Sequence, residues 1–349
     1  MSTPSYIFVV DTRNETGLGH QRRCISIADA LLIKQPDALI RFVAVGASTS
    51  LFVSVNPTLD LTTLPTDVVI DNPLGLMSNI RGGIVFIIDH YLLNNKEWLG
   101  RLSLLCPTAL VFSFDDNEEG AAWPVYGLLR IGVSAKKDDL SEEVINNSAI
   151  GAEFFPIRSD ADPAKIKNKG HDKIGNRMLI TLGGSDQEKY TERVIRALAE
   201  IPNALSFDIV FGPTADPMRA KAIIPDERFT LHSAPANFLD LMRSAFLAVC
   251  GGGNTCYEFM HFGVPVSVLA LAKNQYGTCE AIQRKGYGHF LGYIEKMSDH
   301  DLTNQIKTFI SNSIKYRAMA EQSRRLIDGR GAERLVTKIT TRITSYFPD

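Results

Sequence analysis

Three times in this 349-residue chain, a short apolar run ends in a glycine-bearing turn and gives way to a helical pattern. The turns are GLGH at 17–20, LGGSD at 182–186 and CGGGNT at 250–255. A buried strand that runs through glycine into a helix is the repeating unit of a parallel sheet with crossover helices. The spacing of the turns predicts two such units in series, an α/β protein of two Rossmann-like domains. Apolar residues make up 45% and charged residues 22%, which excludes disorder, a collagen-like repeat and a coiled coil.

Strands are expected at 7–11, 39–45, 68–71, 84–89 and 109–114, and again at 207–211, 246–250 and 265–269. A helix is expected from about residue 20 to 34, where Cys24, Ile27, Ala28, Leu31 and Leu32 share one face. Residues 156–177 are charged, proline-bearing and without apolar periodicity, as in a linker. The expected domains are therefore 1–160 and 175–349, the second ending in helices over 299–327 and 332–347. Phe246, Phe259 and Met260 are expected in the core.

Residues 1–150 carry 11 Lys+Arg against 17 Asp+Glu, net −6, and the remainder 26 against 22, net +4. The whole chain is at −2, so nothing points to nucleic acid, while a positive second half suits an anionic ligand. No apolar run approaches ~20 residues, and the N-terminus lacks a basic region before its apolar stretch, so neither a membrane span nor a signal peptide is expected. Five cysteines (Cys24, Cys106, Cys250, Cys256 and Cys279) without CxxC spacing imply reduced thiols in a cytoplasmic protein. The seven histidines are scattered, so no metal is expected. A small-molecule substrate is the expected partner; the oligomeric state is open and a monomer suffices.

In open α/β sheets, ligands sit at the carboxyl ends of strands, where glycine lets the backbone approach and helix N-termini present N–H groups. The first turn has arginine where a nicotinamide fingerprint needs its third glycine, and the Walker pattern is absent. No nucleotide cofactor is expected. His20 stands at the start of the first helix, either as a cap or as a proton acceptor kept neutral by the helix dipole. Arg23 follows one turn later on the same face. Thr255 is a plausible N-cap, placing Glu258 at the capping-box position or facing a ribose. Asn274 and Gln275 follow another strand and offer amides. Asp89, Asp115 and Asp116 end strands; paired acids can bind a metal, but without a third oxygen ligand strand-end capping is the expectation.

GLGHQRRCISIADAL, IIDHYLL, LITLGGSDQEKYTERVIRAL and LMRSAFLAVCGGGNTCYEFMHFGVPVSVLALAKNQ together resemble the PseG-type UDP-sugar hydrolases of pseudaminic acid biosynthesis. That family is similar in fold to GT-B glycosyltransferases of the MurG type, two Rossmann-like domains around a central cleft. The resemblance implies metal-independent hydrolysis of UDP-2,4-diacetamido-2,4,6-trideoxy-β-L-altropyranose with inversion at C1 and no cofactor. It implies His20 as the base on water, with Gly17, Gly19 and Arg23 completing the motif and Tyr91 beside the sugar. It places Gly183, Gly184 and Ser185 in the first nucleotide turn, and Gly252, Gly253, Asn254 and Thr255 under the pyrophosphate. Glu258 falls on the ribose, and Asn274 with Gln275 near phosphate and sugar. The segment WPVYGLLRIGV departs from the family's usual aspartate and asparagine-rich strand end, at the sugar-facing wall. The alternatives are a GT-B transferase with an unknown acceptor and a non-catalytic nucleotide-sugar sensor.

Overall fold

The structure is a computed structural model that describes residues 4–13, 16, 18–46, 60–73, 76, 83–161, 176–183, 188–202, 205–212, 221–224 and 226–346. Gly17, Gly184 and Ser185 lie outside the described residues, as does most of the expected linker. The chain divides into two compact units, Met1–Ser159 with Gly329–Asp349, and Asp160–Asp328.

The first unit holds strands β1 (Ser5–Asp11), β2 (Leu39–Val45), β3 (Asp60–Leu64), β4 (Ile84–Asp89), β5 (Leu110–Phe114), β6 (Gly127–Arg130) and β7 (Ala149–Ile150). Its helices are α1 (Gly19–Lys34), α2 (Thr66–Asp71), α3 (Lys96–Leu105) and α4 (Glu142–Asn147). All pairs are parallel, in the order β3-β2-β1-β4-β5-β6-β7. β1 and β4 are buried almost throughout, as parallel strands covered on both faces must be. Between β1 and β4 the strand order reverses, and such a switch point opens a crevice at the carboxyl ends. Gly19, which opens α1, and Asp89, which ends β4, both lie there.

The second unit contains β8 (Arg177–Thr181), β9 (Ser206–Phe211), β10 (Phe229–Ser233), β11 (Leu247–Gly251), β12 (Val266–Ala270) and β13 (His289–Tyr293). Its helices are α5 (Glu188–Ala199), α6 (Phe238–Ser244), α7 (Asn254–His261), α8 (Tyr276–Arg284), α9 (Asp299–Ser311) and α10 (Ser313–Leu326). The parallel order β10-β9-β8-β11-β12-β13 reverses between β8 and β11, the strands that precede the second and third glycine turns. Phe259 and Met260 are buried, whereas Phe246 is partly buried against the core.

Two expectations are corrected. Residues 68–71 belong to helix α2, not to a strand. The segment starts after Pro65, and one turn of helix exposes Val68 while burying Val69, whose carbonyl accepts from Trp98 Nε1 at 2.9 Å. The final helix, α11 (Gly331–Tyr346), belongs to the first unit, not the second. Its periodicity foretells a buried stripe, Leu335, Val336, Ile339 and Ile343, but not which sheet layer receives it. It packs on α1, where Lys34 Nζ donates to Thr337 Oγ1 at 2.8 Å. Arg334 and Arg342 donate to the Glu153 and Asn146 carbonyls.

Gly331 is required at the start of α11 because a Cβ there would collide with the backbone of Phe154 and Phe155. Gly331→Ala is expected to cost about 1–3 kcal/mol through overpacking. Calorimetry should show the thermal midpoint lowered by several degrees.

Candidate active site

One buried carboxylate organises the carboxyl end of the first sheet. His20, Arg23 and Cys24 stand at i, i+3 and i+4 on α1, and therefore on one face. All three meet Asp89, the last residue of β4. His20 Nδ1 lies 2.5 Å from Asp89 Oδ1. Arg23 donates from Nε to Asp89 Oδ2 at 2.7 Å and from Nη2 to Oδ1 at 2.5 Å. The Cys24 thiol donates to Oδ2 at 3.3 Å. His20 makes no capping bond to α1, so the capping alternative falls.

Arg23 is shared. It also donates to Asp116 Oδ1 at 2.9 Å and Oδ2 at 2.7 Å, and its guanidinium lies 4.0 Å over the Phe114 ring. Burial works against the ionised form of Asp89, but the Arg23 and His20 side chains outweigh it and hold the carboxyl well below its ordinary range. Arg23 in turn is held charged, its burial overcome by Asp116 and Asp89. Burial, with Asp89 beside it, pushes the Cys24 thiol well up, so this cysteine is a donor and no nucleophile. The Tyr91 and His20 rings meet at right angles, centroids 4.6 Å apart at 88°. The structure thus brings together His20, Arg23 and Tyr91, with Gly19 opening the same helix.

Of the strand-end acids, Asp115 does cap the turn after its strand, whereas Asp89 and Asp116 are not simple caps. Asp89 and Asp116 bind Arg23, and Asp115 accepts from the buried Arg130 Nε at 2.7 Å besides holding the Glu119 and Gly120 amides. A legible signal existed: acids ending two consecutive strands of a parallel sheet, facing an arginine one turn into the first helix. Beneath His20, Asp11 is paired with Arg13, and the buried His90 Nδ1 accepts from the Leu92 amide at 3.2 Å.

At the second switch point Gly183 follows β8, while Gly252 and Gly253 lead from β11 into α7. Gly253, not Thr255, is the N-cap, in extended backbone and without a side-chain cap. The helix begins earlier than Thr255 capping required, which moves Glu258 a turn inside it and removes the capping box. Glu258 is buried there. A Cβ at Gly252 would collide with Cys279 Sγ on α8 and crowd the Gln275 main chain. Gln275 Oε1 accepts from the Gly252 and Leu271 amides, each at 3.1 Å, so this side chain shapes the turn. Asn254 and Thr255 form the first turn of α7, and Asn274 is exposed beside Gln275. Among the described residues, no group of three or more His, Cys, Asp or Glu is placed to hold a metal ion, and no helix is long and apolar enough to cross a membrane.

The glycotransferase of kitacinnamycin superimposes over 100% of both chains with a TM-score of 0.66 at 15% identity. MurG of Acinetobacter baumannii superimposes over 97% of this chain and 100% of its own, with a TM-score of 0.64 at 14% identity. The fold is GT-B. No family model matches the chain. Among curated proteins it is similar to the spore coat polysaccharide biosynthesis protein SpsG of Bacillus subtilis, 26% identical over 45% of this chain and 48% of that one. It is also similar to a Helicobacter pylori protein described as pseudaminic acid cytidylyltransferase and UDP-2,4-diacetamido-2,4,6-trideoxy-beta-L-altropyranose hydrolase. That match is 23% identical over 74% of this chain and 43% of the other. The chain thus spans about half the length of these curated relatives.

Two predictions follow from the packing. Burial pushes His90 down to about 4 from 6.5, so the folded protein resists a proton that the unfolded chain accepts. This contribution is complete above pH 6.5 and is lost as pH falls toward 4, on the order of 3 kcal/mol in all. Urea unfolding across that window should weaken with acidification, and His90→Gln should flatten the dependence. Gly252→Ala should lower stability by about 1–3 kcal/mol, part of which Cys279→Ala restores by removing the sulfur in the way. Additive losses in the double variant would contradict this packing.

Proposed function

We propose that the protein is a UDP-sugar enzyme of the glycosyltransferase kind, displacing UDP from the anomeric carbon with His20 as general base. The observation that carries the reading is the His20–Asp89 pair at the switch point of a GT-B first unit. With its Nδ1 proton directed at an ionised Asp89, the imidazole keeps Nε2 as the proton acceptor, the arrangement that activates hydroxyls in many hydrolases and transferases. The acceptor O–H proton passes to Nε2 as the new O–C1 bond forms. The C1–O bond to UDP breaks, its electrons leave with the diphosphate, and the configuration at C1 inverts. Arg23 and Asp89 hold the ring, and Tyr91 borders it.

In the second unit the glycine turn and the N-terminus of α7 suit a diphosphate, whose charge backbone N–H groups and the helix dipole favour. Glu258 is assigned to the ribose; Gly183, Gly252, Gly253, Asn254, Thr255 and Asn274 to the diphosphate and sugar. Gly184 and Ser185 are assigned along with Gly183, and Gly17 along with Gly19, on sequence alone. Gln275 is assigned to building the turn, its oxygen being already committed.

The resemblance in sequence put water first as the acceptor. The structural similarities favour a transferase, since the kitacinnamycin structure reported above is described as a glycotransferase. Water remains the second reading, favoured by the hydrolase activity in the description of the Helicobacter pylori relative. The test incubates the full chain with a panel of UDP-sugars, with and without sugar and lipid-linked acceptors, and follows UDP and sugar by NMR. UDP release that depends on an acceptor supports transfer; prompt release of the inverted free sugar without one establishes hydrolysis. His20→Asn should lower turnover roughly 10²–10⁴-fold. A folded variant at near wild-type rate would remove His20 from the mechanism.

A further inference from the structure

We propose that Lys296, whose ammonium is held over two tyrosine rings at the carboxyl end of β13, is a further residue that binds the diphosphate of the nucleotide sugar. The inference rests on the reading of the second unit as the nucleotide-binding half and adds a side-chain cation to it. Its starting point is an irregularity in β13. Val268 pairs with Phe290 but Leu269 with Gly292, so a bulge interrupts the strand, and Gly292 takes a φ of 134° there. A bulge re-aims the side chains beside it. Here Tyr293 meets Phe290, ring centroids 5.1 Å apart at 87°, and Tyr276 of α8, centroids 4.4 Å apart at 62°. Lys296, in the turn after β13, places Nζ 4.9 Å from the centre of the Tyr293 ring and 5.3 Å from that of Tyr276.

Two features set this lysine apart from an ordinary surface cation. The first is that no carboxylate claims it among the described residues. Glu280, in the same cluster, accepts from the Tyr293 hydroxyl; that bond pushes the hydroxyl up to about 12, so the ring under the ammonium stays neutral. Glu295, next to Lys296 in the chain, accepts from Tyr190 Oη at 3.0 Å. Ring faces therefore hold the ammonium, an attraction that orients the charge without cancelling it. Lys273, also exposed near Gln275, has neither ring nor carboxylate to orient it among the described residues. The second feature is place. Tyr276 directly follows Gln275, whose Oε1 accepts from the Gly252 amide at 3.1 Å. Leu269 of β12 pairs with Gly251 on one side and Gly292 on the other, so the glycine turn and the tyrosine cluster stand two strand spacings apart, about 10 Å. A diphosphate at the turn and a lysine side chain together span that distance.

A lysine that merely covered the rings would add packing and leave ligand affinity alone. The test titrates the full chain by calorimetry with UDP and, separately, with inorganic pyrophosphate. Lys296→Ala should weaken both about tenfold, the loss of one charge-assisted contact, with the thermal midpoint unchanged. Lys296→Arg keeps the charge and should recover most of the loss. Replacing both rings, Tyr276→Leu with Tyr293→Leu, should weaken binding by releasing the ammonium, whereas Tyr276→Phe with Tyr293→Phe should not. Lys273→Ala and Lys285→Ala, at two other exposed lysines, should leave both affinities in place. UDP binding that is untouched by Lys296→Ala, or weakened equally by either control, overturns the proposal and leaves the nucleotide reading standing. Binding of pyrophosphate but not of UDP, still dependent on Lys296, supports the cation site and overturns the nucleotide reading instead. Failure of the unaltered chain to bind either probe overturns both.

Discussion

An ionised carboxylate in the interior is tolerated only when its charge is met and its lone pairs are bonded. Asp89 is such a group, and the first unit is arranged around that requirement. Three donors at i, i+3 and i+4 of α1 converge on it, which fixes the rotation of the helix about its axis and its depth over β4. Burying Arg23 beside it creates a second demand, met by Asp116 and by the Phe114 ring beneath the guanidinium. The imidazole is therefore held by a bonded network instead of by a loop.

The second unit reaches its switch point by another route. There the constraint is steric: the β11 turn must pass close to α8, and Gly252 together with the Gln275 oxygen allows it. One unit thus offers an imidazole held against a carboxylate, and the other a glycine turn at a helix N-terminus. Under the proposed function, that division serves an anion to be held and a hydroxyl to be deprotonated.

Much of this was legible in the sequence, for reasons that can be stated. Buried parallel strands such as 39–45 and 84–89 are continuous apolar runs, and they appear at those residues. Edge strands β3 and β10 escaped because partly exposed, mixed-polarity segments such as DLTTL and FTLHS carry no such pattern, and the two-residue β7 is too short to carry one. His20 and Arg23 stood out through their spacing on one helix face. Asp89 and Asp116 did not, because a strand-end acid has the same local signature whether it caps a turn or anchors an arginine 66 or 93 residues away. The role of Gln275 was hidden likewise, since an amide near a glycine turn bonds backbone and ligand equally well. The docking of α11 was beyond local pattern altogether: an apolar stripe shows that a helix is covered but not by what.

That docking has a consequence for how the chain comes to be folded. The second unit is one continuous segment, whereas the first is assembled from two pieces that flank it. During synthesis the second unit is complete while α1 still shows the surface that α11 will cover. The apolar flank of the helix that bears His20 and Arg23 therefore closes only after residues 331–346 have left the ribosome. The helix that bears His20 is thus covered on its apolar flank only after the whole second unit has been made.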